Sequence, residues 1–332
     1  MRTPGLTRRG TLGALAGAAA GLAARRSRAA PLQKITLLTN WFAEAEHGGF
    51  YQAKATGLYE KAGLDVDLRM GGPQVNGMQL LTAGAADIMM GYDIQVLGSI
   101  SHGLPVTTIA TSFQFDLQGV MTHDGINSIA DLKGHTILIA AASHVTFWPW
   151  LKQRFGFTDA QAGVDTFNLQ PFLVDKALAT QGYISSEPFE AREAGEKVKF
   201  FLFADDGYPP YSGSMVTTNA FVEKRPEAAA AFVRASLEGW RDYFRDPSPA
   251  NTLIKRDNPK MPDGQIAYAI ETMKAMHVLD RGLAPGQSIG SMTAARWEQT
   301  RDFLVKAGLL DAGVDWRRGF TTRFTDGLHI SA

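Results

Sequence analysis

An α/β architecture in two lobes is expected, and three features of the chain lead to it. Short apolar runs at 35–38, 88–90 and 106–110 alternate with helix-like segments, which is the pattern of a parallel sheet with crossover helices. No cysteine occurs in the 332 residues, so disulfides, thiolate nucleophiles, zinc-thiolate sites and iron–sulfur ligation are all excluded. Stability must then come from buried apolar surface, and the roughly 300 residues beyond the first thirty are ample for two lobes.

The first thirty residues read as an export signal rather than as fold. Arg8 and Arg9 precede a run of mostly Ala, Gly and Leu over 12–24, and Ser27-Arg28-Ala29 offers a small-x-small cleavage site. The paired arginines point to the twin-arginine route, with cleavage near Ala29 and a periplasmic destination. The apolar run is shorter than the roughly 20 residues of a spanning helix. Six of the 33 basic residues and none of the 33 acidic ones lie in this stretch, so the remainder is net acidic, by about six charges. Without a basic block it has no electrostatic footprint for nucleic acid.

The remaining elements follow in order. The loop 40–51, Asn-Trp-Phe-Ala-Glu-Ala-Glu-His-Gly-Gly-Phe-Tyr, lies between the strand at 35–38 and a helical segment ending near Tyr59. Residues 64–69 alternate apolar and charged as a strand with one exposed face, ended by Gly71-Gly72-Pro73. Val75, Met78 and Leu81 mark a short helix, and the buried strand at 88–90 ends in Gly91-Tyr92-Asp93. Further strands are expected at 120–123, 136–140 and 200–203, bounded by turn residues. Residues 204–213 carry the densest turn signal and read as a passage between lobes, followed by a strand at 215–218. From Pro226 onward Ala229, Phe232, Val233, Ser236, Leu237, Trp240 and Tyr243 recur at helical spacing, and a second helix is expected over 293–306.

In open α/β sheets ligands bind beyond the carboxyl ends of the strands, which makes the loop at 40–51 a candidate wall of a small-molecule site. Catalytic signatures are missing: no Gly-x-Ser-x-Gly, no P-loop, and seven scattered histidines with no pair at metal-binding helical spacing. Glu44, Glu46 and His47 are in principle an acid–base set, yet nothing elsewhere completes a reaction. Trp41 is open to either stacking on a ligand or packing, whereas Phe42 is expected in the core. Asp93 and Glu187 end apolar stretches, where an acid is expensive unless paired or directed at a ligand. Ser143, His144 and Thr146 precede an aromatic helix start, a polar N-terminus suited to an anion. Of Trp148 and Trp150, one is expected to face the cleft and the other the core. Tyr208 and Tyr211, in the passage between lobes, complete the candidate set.

These segments, in this order, resemble a known family: Asn40-Trp41-Phe42 with His47-Gly48-Gly49-Phe50-Tyr51, then Gly57-Leu58-Tyr59, Ala62 to Val66, Ala83 to Asp87, Ser128 to Gly134, and Glu187-Pro188. The chain is similar to the substrate-binding proteins of ABC importers, in the group related to thiamine-pyrimidine synthase that also includes binders of formylaminopyrimidine, riboflavin and sulfonates. The resemblance implies a periplasmic-binding-protein type II fold with two crossover strands and an interlobe cleft closing by hinge motion. Lobe I is then expected over 30–118 and 213–332, and lobe II over 119–212. The implied role is a monomeric carrier, without cofactor, that delivers a small ligand to the transmembrane permease subunits. In the pyrimidine-binding relatives the Asn-Trp pair and the Glu of Glu-Pro contact the heterocycle; they match Asn40, Trp41 and Glu187. The synthases consume a histidine of their own in the loop matching 92–97, where this chain has Gln95, and they carry a cysteine-rich motif that is missing here. Because Glu44, Asp93 and Glu187 are acidic, a neutral or cationic nitrogen heterocycle is expected over a taurine-like or alkanesulfonate anion.

Overall fold

A computed structural model describes residues 31–332; the expected signal segment, 1–29, lies outside the described residues. Ten strands form two five-stranded sheets. The chain lays down β1 (Gln33–Leu38), β2 (Leu64–Arg69), β3 (Ile88–Gly91) and β4 (Val106–Phe113), then crosses over through residues 114–117. It builds β5 (Gln118–Thr122), β6 (Ile137–Ile139), β7 (Ala162–Val164), β8 (Ala179–Tyr183) and β9 (Lys199–Leu202), and returns through 207–211 to β10 (Ser212–Thr218). The first sheet has the order β2-β1-β3-β10-β4 and the second β7-β6-β8-β5-β9.

Both sheets are mixed, within the mixed or parallel sheets expected of two α/β lobes of this fold. Strands β1, β2 and β3 are parallel, but β10 runs antiparallel between β3 and β4. In the second sheet β6, β7 and β8 are parallel and β5 is antiparallel to β8 and β9. The cause is topological. A strand entering a lobe by crossing from the other starts at the cleft edge, where the βαβ strands end, so it must run against them. The strands β7 and β8 escaped the sequence reading because Ala-Gly-Val is too short and Ala-Thr-Gln-Gly-Tyr too polar to stand out.

The long helix Pro226–Arg245 buries every residue of its expected stripe, from Ala229 to Tyr243. Its rings stack through the first lobe: Tyr59 on Phe232 at 5.5 Å between centroids, and Phe113 edge-on to Trp240 at 5.0 Å. The helix expected at 293–306 forms as Ala294–Lys306, with Thr293 accepting from the Arg296 N–H as its cap. Among the described residues no helix is long and apolar enough to cross a membrane.

Helix Gly48–Ala55 lies on Pro226–Arg245 at a separation only glycine permits. A Cβ at Gly49 would fall 2.2 Å from the Trp240 ring, and one at Gly239 would fall 2.2 Å from the Gly49 carbonyl oxygen. Either added methyl forces the helices apart, and overpacking of this kind typically destabilises by about 1–3 kcal/mol. Gly239→Ala is thus expected to lower the free energy of unfolding measured in urea by that amount. A variant as stable as the parent would show that the two helices separate freely.

Candidate functional site

The loop after β1 is fixed from several sides before it reaches the cleft. Thr39 Oγ1 donates to the Trp41 carbonyl (2.7 Å) and accepts from the Gly71 N–H (3.2 Å). Gly71 is required there, since a Cβ would lie 2.3 Å from the Thr39 carbonyl oxygen. Asn258 Nδ2 donates to the Ala43 carbonyl (2.9 Å), tying the loop to the C-terminal part of the chain. A single 3-10 turn, Ala45–His47, then feeds helix Gly48–Ala55.

His47 is fully buried and its Nε2 sits 3.0 Å from Asn40 Oδ1. Asn40 Nδ2 donates to the Tyr92 hydroxyl at 3.3 Å, so the Asn40 oxygen faces His47 Nε2. Burial pushes the imidazole down to about 3, which keeps it neutral. The network then crosses the cleft. The Tyr92 hydroxyl, at the end of β3, bonds the Tyr183 hydroxyl, at the end of β8, and Gln118 Nε2 donates to Tyr183 at 3.2 Å. Beside it the Ser185 hydroxyl donates to Glu46.

Carboxylates dominate the electrostatics. Glu187 opens helix Glu187–Glu193 and accepts from the Tyr183 N–H at 2.6 Å. Gly182 makes room for it, because a Cβ there would meet the Glu187 carboxyl at 2.8 Å. Burial raises Glu187 to about 8 against the pull of that N–H. Burial first, then the charges of Glu46 and Glu187, hold Glu44 well above the usual carboxylate range. Glu46 is also raised by burial, and Asp116, in the first crossing, is raised by burial to about 7. Among the described residues no Lys or Arg forms an ion pair with Glu44, Glu46 or Glu187.

The structure therefore draws Asn40, Trp41, Glu44, His47 and Glu187 to one cleft and sends other candidates elsewhere. Trp41 lies against Phe42 and, across the cleft, Phe167. Phe42 is exposed, not in the core. Asp93 is buried and committed to protein: it accepts from the Tyr211 N–H (3.2 Å) and the Thr300 hydroxyl (2.9 Å), and burial raises it to about 6. Gln95 is exposed and caps its own helix, accepting from the Tyr92 N–H. Trp148 and Trp150 both face the core, Trp148 donating to Asp159 at 2.8 Å and Trp150 packing on Phe203 and Tyr208. Tyr208 belongs to that aromatic cluster, and Tyr211 is buried with its hydroxyl accepting from the Thr293 N–H. Ser143 donates to Gln181 within the second lobe (2.6 Å), His144 is exposed, and the Thr146 hydroxyl turns back to the Ala142 and Ser143 carbonyls. Sequence reasoning missed Tyr92, Asp116, Gln118, Tyr183 and Ser185. Their one signal was position at strand ends and crossings, where the acids drew the attention.

Two α/β lobes joined by two crossings around such a cleft define a periplasmic-binding-protein type II fold. The aliphatic sulphonate binding protein SsuA of Escherichia coli shares it, with a TM-score of 0.63 at 16% identity over 86% of this chain and 91% of that one. The chain belongs to the NMT1/THI5-like family, whose model matches residues 44–250. It is 26% identical to the riboflavin-binding protein RibY of Chloroflexus aurantiacus, over 93% of this chain and 91% of the relative. It is also 26% identical to the formylaminopyrimidine-binding protein of Halalkalibacterium halodurans, over 82% and 85%. A 4-amino-5-hydroxymethyl-2-methylpyrimidine phosphate synthase of Schizosaccharomyces pombe matches at 31% over 64% of this chain and 66% of its own.

The raised carboxyls set a pH dependence. Between its ordinary 4.5 and about 8, folded Glu187 holds a proton that the unfolded chain has lost, so stability falls as pH rises through that window. His47 acts in the opposite sense only between about 3 and 6.5. The ligand-free protein is thus expected to melt several degrees lower at pH 8.5 than at pH 6.5. Glu187→Gln, which keeps an acceptor for the Tyr183 N–H, is expected to reduce that difference, with Asp116 and the other raised carboxyls supplying the remainder; an identical pH slope in parent and variant would contradict the assignment.

Proposed function

We propose that this protein is an exported solute-binding protein that closes its two lobes around a planar nitrogen heterocycle and hands it to an ABC permease. The observation that carries this reading is the cluster of Glu44, Glu46 and Glu187, to which no Lys or Arg among the described residues is paired, beside Trp41 and the amide of Asn40. Carboxyls and carboxylates accept hydrogen bonds from ring N–H and amino groups, and an indole offers a face to a flat ring. A sulfonate entering the same cleft would find, among the described residues, no guanidinium or ammonium paired to this cluster to offset its charge, and each carboxyl that ionises would add repulsion. The relatives named as binders of riboflavin and of formylaminopyrimidine support a heterocyclic ligand, and a pyrimidine or thiamine precursor is the form we favour.

A synthase reading is supported by the yeast relative. It is disfavoured because the chain has no cysteine, and because Gln95, in the loop where the resemblance places the consumed histidine, is an exposed capping residue. The twin-arginine leader expected at 1–29 supports a periplasmic carrier.

A thermal-shift screen tests the proposal. A ligand at a hundred times its Kd stabilises the folded state by about 2.7 kcal/mol. Aminopyrimidines or flavins are expected to raise the melting temperature while taurine and alkanesulfonates leave it unchanged. Trp41→Ala and Glu187→Ala should each weaken binding at least tenfold by calorimetry. A shift with sulfonates alone, or full affinity in both variants, would overturn the reading.

A further inference from the structure

Phe167 follows β7 on the second lobe, and nothing in the core accounts for it: its side chain is 57% exposed. Its backbone is held at φ +58°, and it is one of two non-glycine residues in the left-handed region among the described residues. A bulky aromatic residue there is strained and persists only when its surroundings impose it. Here Asp165 Oδ1 imposes it by accepting the Phe167 N–H at 2.8 Å, which closes a tight turn. The outcome of this turn is a contact across the cleft. The Phe167 ring lies 5.1 Å from the Trp41 ring, tilted by 53°, and Phe42 meets the same indole at 5.6 Å. Two lobes that meet elsewhere through hydroxyls, carboxyls and the stack of Phe189 on Tyr268 thus also meet through Trp41 and Phe167.

We propose that Phe167 is the second-lobe half of an aromatic clasp on Trp41 that holds the cleft shut, and that it sets how long the closed state lasts. The importance of that lifetime rests on the cleft being the ligand site, but the clasp itself is a contact between two protein rings. The spacing of 5.1 Å leaves no room for a ring between Trp41 and Phe167. A flat ligand stacked on Trp41 must therefore take the other part of the indole surface, on the cleft side, with Phe167 closing behind it. Bulk that extends from such a ligand towards the second lobe would push against Phe167. The residue therefore also discriminates by size, favouring compact rings over ligands with a substituent on that side. An aromatic pair of this kind is expected to change the closing equilibrium roughly two- to tenfold.

The absence of cysteine makes a direct test simple, since thiols can be introduced singly in each lobe. Exposed Ala220 on the first lobe and Glu193 on the second, each changed to Cys and labelled, report lobe closure by single-molecule energy transfer without ligand. The parent is expected to visit a closed state whose dwell time falls roughly two- to tenfold in Phe167→Ala and is retained in Phe167→Trp. Phe167→Gly removes ring and backbone strain together; it is expected to melt no lower than the parent yet lose the same dwell time. An unchanged or longer dwell in Phe167→Ala overturns the clasp, as does a parent with no closed state in the absence of ligand. Because no ligand enters the measurement, a failed heterocycle screen leaves this result standing, and the converse holds as well.

Discussion

The close approach of helix Gly48–Ala55 to helix Pro226–Arg245 is the constraint on which the cleft depends. Gly48, Gly49 and Gly239 bring backbone against backbone and against the rings of Trp240 and Tyr243. The turn Ala45–His47 is continuous with the first of these helices, so its position is inherited from that packing. Protein interiors are dense enough that a displacement of even one methyl is transmitted rather than absorbed. His47, Glu46 and Asn40 are therefore placed by a contact made on the side of the loop away from the ligand cleft.

A second principle governs the cleft itself: the bonds that cross it are mostly uncharged. Tyr92 meets Tyr183, the Tyr268 hydroxyl donates to the Ile184 carbonyl at 3.0 Å, and Gln265 donates to Ser186 at 2.8 Å. Phe189 stacks on Tyr268, and one ion pair, Arg281 with Asp205, lies on exposed surface, where such pairs contribute little. Neutral contacts close the lobes without compensating the carboxyls they bury. Glu44, Glu46 and Glu187 consequently hold protons more tightly than exposed acids do, and a ligand with N–H donors offers them what the protein does not.

Much of the fold was readable because its strongest elements obey one period each. The stripe from Ala229 to Tyr243, the capped helix at its Thr293 start and the alternating strand at 64–69 needed no tertiary knowledge. Sheet direction was not readable, since β5 and β10 look like any short apolar strand and only the crossings make them antiparallel. The site was half readable. Position after a strand picked out Asn40, Trp41, Glu44, His47 and Glu187, which share one cleft in the fold, but the same rule offered Asp93, which instead turns to Thr300 and the Tyr211 N–H. A one-residue step decides this: Tyr92 points to the cleft and Asp93 begins the helix behind it. Trp148 and Tyr208 failed for a simpler reason, because large rings near a turn are more often core than wall.

His47 shows how the separate arguments meet. Read from the sequence, it stood beside two glutamates as if to exchange protons with them. Its burial holds it neutral, and its Nε2 is engaged with Asn40. The other end of the same amide faces Tyr92, through which the network reaches the second lobe. Neutral groups thus carry the hydrogen bonds from the imidazole across the cleft, while the acids next to it stay uncompensated. A reacting histidine needs a pKa near the working pH, and one held near 3 serves better as a fixed hydrogen-bond partner. The polar groups of the loop are accordingly held in place by the protein's own bonds, from Thr39 and Asn258 through His47 to Tyr92.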